Sequence, residues 1–188
     1  MVIIGYRIVE RFSPSSGASW AKFIAGSGLS GLAEVVGLDA ALCPALLDKY
    51  SAEDWAHAVF EGHFVGCFDN LDYALTRLDV AFDPEKHQVL AVVREPVEAK
   101  VATVALPGFG FKGFEVIADG EWAFSALTNC GGFDLAFGPD DLSECGLVRT
   151  TARAYEIADS LATFYPDDPH ADCVVWAIWR REAGSVHA

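Results

Sequence analysis

The sequence predicts an α+β fold: one domain over residues 1–188, with a mixed, mainly antiparallel sheet and three or so helices packed on it. Three observations carry that expectation. Asp119-Gly120 stands between two apolar runs, a strong short-range hairpin signal because a tight primed turn needs positive φ. Helix-like and strand-like segments follow one another without regular alternation, which disfavours a doubly wound parallel sheet. Apolar residues make up 52% of 188, enough for one continuous core.

The elements follow in order. Val2 to Glu10 is apolar and β-rich and predicts a first strand. Ser13-Pro14-Ser15-Ser16-Gly17 is a loop by its turn chemistry. Trp20 to Ala25 is a short apolar element of either type, and Gly26 to Gly31 is a glycine-rich turn. Leu32 to Leu42 stays open, because Val35, Val36 and Gly37 weaken a helix. Ser51-Ala52-Glu53-Asp54 has the spacing of a capping box and starts a helix with Trp55, Ala58 and Val59 on one face. Asp69 is placed to cap the next helix, where Leu71, Ala74, Leu75 and Leu78 recur at helical spacing.

Val89 to Val93 reads as a buried strand ended by Pro96, and Val97 to Leu106 as a further strand. Phe114 to Ala118 and Glu121 to Leu127 are the arms of the hairpin. A helix begins at Thr150 or Thr151, carries Tyr155, Ala158, Leu161, Ala162 and Tyr165 on one face, and stops at Pro166. Asp172 to Arg180 predicts the last strand.

Net charge is −14, from 27 acidic against 13 basic side chains. Such a field repels nucleic-acid phosphates and anionic lipid, so neither is expected as a partner. A basic protein is attracted. No stretch has the roughly 20 apolar residues of a membrane span, and the first residues lack the pattern of a signal peptide. The five cysteines, Cys43, Cys67, Cys130, Cys145 and Cys173, are odd in number and contain no CxxC. Reduced cytoplasmic thiols are therefore expected, rather than a disulfide scaffold or a zinc site.

Two strings match GxGxxG. Around Gly26, Gly28 and Gly31, FIAGSGLSGLAEVVGL resembles the opening of a flavin- or nicotinamide-binding Rossmann unit. That resemblance implies a strand before the glycines and a helix after them, yet Val-Val-Gly interrupts the helix and no further βα units follow. The second string, Gly108, Gly110 and Gly113, leads into the Asp119-Gly120 hairpin, not into a helix. No cofactor is expected at either. The only close metal-type set is His57, Glu61 and His63. It is not HExxH, and no metal is expected.

Two readings of function emerge. The first is a cytoplasmic protein-binding module of the immunity or antitoxin kind, neutralising a basic partner. Asp140, Asp141, Glu144, Asp167 and Asp168 lie in late loops without an evident structural need, and Phe109 and Phe111 are candidate aromatic anchors. The second is a small Cys-dependent hydrolase or transferase. Cys130 beside Gly131-Gly132 would be the nucleophile, His170 its base and Asp172 the orienting carboxylate. The tract from Ala126 to Arg180 resembles stretches of bacterial proteins, a likeness that brings no activity with it. The first reading leads, because no convincing catalytic set stands out.

Overall fold

A computed structural model describes residues 3–39, 52–60, 67–77, 83–97, 101, 104–119, 123–128 and 133–182. Its strands are β1 (Gly5–Glu10), β2 (His87–Arg94), β3 (Phe109–Asp119), β4 (Ala123–Ser125) and β5 (Cys173–Arg181). They form one sheet in the order β1-β2-β5-β3-β4, and every neighbouring pair is antiparallel. The α+β class therefore stands.

The last strand in sequence is the middle strand in space. Val175 to Trp179 is buried on both faces, which is why β5 reads as an unbroken apolar run instead of alternating. β2 behaves the same way from Gln88 to Val93. The hairpin falls where the Asp119-Gly120 signal put it: β3 pairs with β4 through Ala118↔Phe124 and Asp119↔Ala123.

The helices are α1 (Ala18–Ser27), α2 (Ala52–His57), α3 (Leu71–Arg77) and α4 (Thr151–Phe164). Trp20 and Phe23 of α1, with Ala154, Ile157 and Leu161 of α4, pack on one sheet face against Ala91, Val93, Phe114, Val116, Val175, Ala177 and Trp179. The opposite face carries Val9, Leu90, Val92, Ile117, Trp176 and Ile178. It is covered by Val36, Leu38, Cys67, Cys145 and Leu147. Here residues 32–39 form a strap and no helix. Val35 N–H donates to Phe12 O at 2.8 Å and Val36 N–H to Cys145 O at 3.0 Å. Glu34 is bound by Arg180 and lies 3.6 Å from Arg11.

Several local expectations need correction. Asn70, not Asp69, caps α3: its Oδ1 accepts Tyr73 N–H at 3.0 Å, while Asp69 faces His57 Nδ1 at 3.0 Å. The helix of α2 stops at His57, and Ala58 instead bridges to Phe68. No strand forms in the described part of 97–106, where Val101 N–H donates to Val97 O at 3.1 Å. The buried stripe of α4 is Thr151, Ala154, Ile157 and Leu161, so Tyr155 and Ala162 of the expected face are exposed. The 26–31 glycines close a helix and do not open one. Gly28 is the left-handed C-cap of α1, its N–H bonding Ile24 O at 3.1 Å. A pyrophosphate needs a helix N-terminus, and this end carries the opposite partial charge. Ser51, Glu61, His63, Leu78, Gly120, Cys43 and Cys130 lie outside the described residues.

Candidate interaction surface

The chain from Phe133 to Asp141 runs along one flank of α4 and is tied to it at both ends. At the helix start, Thr150 Oγ1 caps Arg153 N–H at 3.3 Å. The Arg153 guanidinium then donates twice to Asp141, Nε to Oδ1 at 2.8 Å and Nη2 to Oδ2 at 2.9 Å. Nη2 also reaches Ala136 O at 3.2 Å. This fork geometry is the strong form of an arginine–carboxylate pair. It holds the Asp141 carboxyl below its usual range, helped by Gly138 N–H at 2.9 Å. At the helix end, Leu135 N–H donates to Tyr165 Oη at 3.1 Å, and the Phe133 and Tyr165 rings meet edge to face at 5.1 Å.

Between these ties sit two large exposed apolar side chains. Leu135 is 67% exposed and Phe164 53%. At about 100° per residue, Arg153, Ser160 and Phe164 fall within about 40° of one another, so Phe164 shares the flank the loop follows. The same segments carry exposed acids: Asp134 and Asp140 in the loop, Glu156 on α4 beside Arg153, and Asp167 beyond the helix. An apolar centre with a charged rim is the general anatomy of a protein-binding patch.

The five late acids thus divide. Asp140, Glu144 and Asp167 are exposed. Asp141 is bound by Arg153. Asp168 caps the short turn Pro169–Asp172, taking His170 N–H at 2.9 Å and His170 Nδ1 at 2.7 Å. Those hydrogen bonds hold the Asp168 carboxyl low. Two of the five therefore have structural work that the sequence did not reveal. The aromatic anchors also differ in place. Phe109 packs on Tyr6 at 6.0 Å and is half-buried. Phe111 is exposed but lies on Phe114 and Trp179, each at 5.2 Å. Phe109 packs against the core cluster that also holds Phe133 and Ala136 of the 133–141 loop. Leu135, Phe164 and Arg153 were missed. Their signal was available: Phe164 departs from the apolar stripe of its helix, and Leu135 follows Asp134 in a loop.

The groups of the cysteine reading are placed in part. His170 is buried, 8% exposed, with its ring 4.9 Å from Phe133. Its Nδ1 meets Asp168, while Asp172 is exposed. Its Nε2 is buried with no hydrogen-bond partner among the described residues. Burial pushes the Cys67 and Cys173 thiols up to about 12 and raises Cys145, so these three stay protonated at neutral pH. Near α2, His57 stacks on Tyr73 at 4.1 Å, and Tyr73 Oη donates to Asp54 at 2.8 Å. Among the described residues no group of three His, Cys, Asp or Glu side chains could hold a metal ion.

The fold class is thus an α+β domain built on a five-stranded antiparallel sheet. Comparison with known proteins adds no likeness: no family model, no curated protein and no solved structure matches the chain. Among the described residues no helix is long and apolar enough to cross a membrane.

Proposed function

We propose that the protein is a binding module for a basic partner protein, of the immunity or antitoxin kind, acting in the cytoplasm. The flank of α4 with the 133–141 loop is the contact surface. One observation carries the reading: the loop and the α4 flank it follows each expose a large apolar side chain, Leu135 and Phe164, and the same segments carry exposed acids. The net charge of −14 supports it, since complementary charge speeds encounter and apolar anchors slow release. Capture by the immobilised full chain tests it. At low salt the wild type retains a basic protein, which about 0.5 M salt displaces by screening. The double variant Leu135→Ser/Phe164→Ser folds and retains none of it. Equal recovery by the folded variant overturns the surface, and recovery of no basic protein overturns the reading.

A second reading, a Cys-dependent hydrolase or transferase, is favoured by the His170–Asp168 pair. A carboxylate on Nδ1 orients the ring and leaves Nε2, which has no hydrogen-bond partner among the described residues, as the proton acceptor, with Asp168 in the orienting role expected of Asp172. Its test is the reactivity of Cys130.

A further inference from the structure

The glycine string 26–31 has no role in the proposed surface, yet it forms one wall of a cleft. Gly28, Leu29, Ser30, Gly31 and Leu32 face Pro139, Asp140, Leu142, Ser143, Glu144 and Arg149 across about 410 Å³. That size lies within the range of small-molecule sites. The far wall is a small hairpin. Leu142 bridges Val148, Ser143 N–H donates to Leu147 O at 2.8 Å, and Gly146 N–H to Ser143 O at 3.0 Å. Glu144 therefore stands at the hairpin tip. Arg149 follows Val148 at its base, and Asp140 and Asp141 precede the Leu142 that Val148 bridges.

Only three residues of chain separate Asp141 from Glu144, a reach of at most roughly 10 Å. Buried Leu29 and Leu142 line the space between. Asp141 is engaged by Arg153, but Asp140, Glu144 and Arg149 have no ion pair among the described residues. Charges of both signs are gathered at the base, one further anion stands at the tip, and apolar surface lies between.

We propose that this cleft binds a free basic α-amino acid of the arginine or lysine kind. The ligand carboxylate pairs with Arg149 and its α-ammonium with Asp140. The aliphatic stem lies along Leu29 and Leu142, and the distal cation reaches Glu144. Each contact matches a feature of the ligand, and no bond is made or broken. The cleft shares Asp140 with the α4 surface but uses neither Leu135 nor Phe164, so the Leu135→Ser/Phe164→Ser variant binds as the wild type does.

Calorimetric titration of the full chain with L-arginine, agmatine and L-norvaline tests it. Agmatine lacks the carboxylate and norvaline the distal cation. Each is expected to bind at least about tenfold more weakly than arginine, one ion pair's worth. Arg149→Gln should erase the preference over agmatine, and Glu144→Gln the preference over norvaline. Gly31→Trp fills the cleft. A Cβ at Gly31 meets nothing within 4 Å, and with a ring at this cleft wall binding is expected to be lost. If that variant does not fold, the two charge variants decide. No heat with arginine up to about 10 mM (a Kd far weaker than a specific site) overturns the proposal. So does equal binding of all three ligands, or undiminished binding to folded Gly31→Trp.

Discussion

The Glu115 carboxylate accepts the Leu38 amide N–H at 2.8 Å, joining residues 77 apart in sequence within the apolar layer under the strap. Leu38 is fully buried and Glu115 is 2% exposed. Burial is the main cause that pushes the Glu115 pKa up, to about 8; Asp39 adds to it, while the Leu38 amide and Arg7 oppose it. The bond therefore ties the 32–39 strap to β3 with a carboxyl that is largely protonated at neutral pH.

A pH dependence follows from that shift. The folded pKa of about 8 lies above the unfolded value of 4.5, so the protonated group favours the folded state. Its contribution is complete below pH 4.5 and is lost as pH rises towards 8. The whole change is on the order of 5 kcal/mol, large against the stability of an ordinary domain. Glu115→Gln keeps a neutral acceptor for Leu38 and should flatten the curve. Urea unfolding at a series of pH values checks this; parallel curves for wild type and variant would sink the assignment.

Arg153 and Asp141 act as one unit holding the 133–141 loop to α4. Their side chains are about a third and a quarter exposed, so solvent screens the pair and about 1 kcal/mol is expected from it. Asp141→Asn should lose that amount above the usual Asp pKa and nothing well below it, because the depressed carboxyl contributes only when ionised. A double-mutant cycle with Arg153→Ala isolates the coupling; a coupling energy near zero would show that the two do not act together.

Gly113 sits at the bulge of β3 with φ +144. A Cβ there would lie 2.7 Å from Val148 O and 2.9 Å from Leu147 Cβ. Gly113→Ala should therefore destabilise by about 2–4 kcal/mol, since both backbone strain and a backbone clash are incurred. Thermal unfolding is the measurement, and an unchanged Tm would mean the bulge is not held in this form.

Thiol reactivity separates the two functional readings. Cys67, Cys145 and Cys173 are protonated by burial and should label slowly at pH 7, reacting fully only on unfolding. Mass mapping after brief labelling reads this directly. A fast phase confined to Cys130, removed by Cys130→Ser and slowed by His170→Gln, is what the hydrolase reading requires. An ordinary rate at Cys130 removes that reading.

Much of the fold was legible because its signals are local. Asp119-Gly120 marked the hairpin through turn chemistry, and the apolar run within Asp172 to Arg180 marked the last strand. Thr150 and Pro166 bracketed α4. The face of α4 was not legible, since Tyr155, Ala158 and Ala162 offer an apolar stripe that overlaps the one actually buried. Nor was the Gly26–Gly31 string, because the same letters serve a phosphate loop or a helix C-cap, and only the flanking structure distinguishes them. The surface residues were harder still: Asp141 and Asp168 looked idle until Arg153 and His170 were seen beside them.

By itself, then, the sequence determined the class of fold, the turns, most strands, the longest helix and the strong acidity. Each of these depends on residues within one or two turns of chain. Only the tertiary structure decided that β5 is central, that Glu115 holds Leu38, and that Arg153 and Tyr165 hold the 133–141 loop to α4. Those relationships join segments a dozen or more residues apart. They depend on which apolar face the sheet accepts and which polar group then finds a partner, and no local spacing encodes that choice.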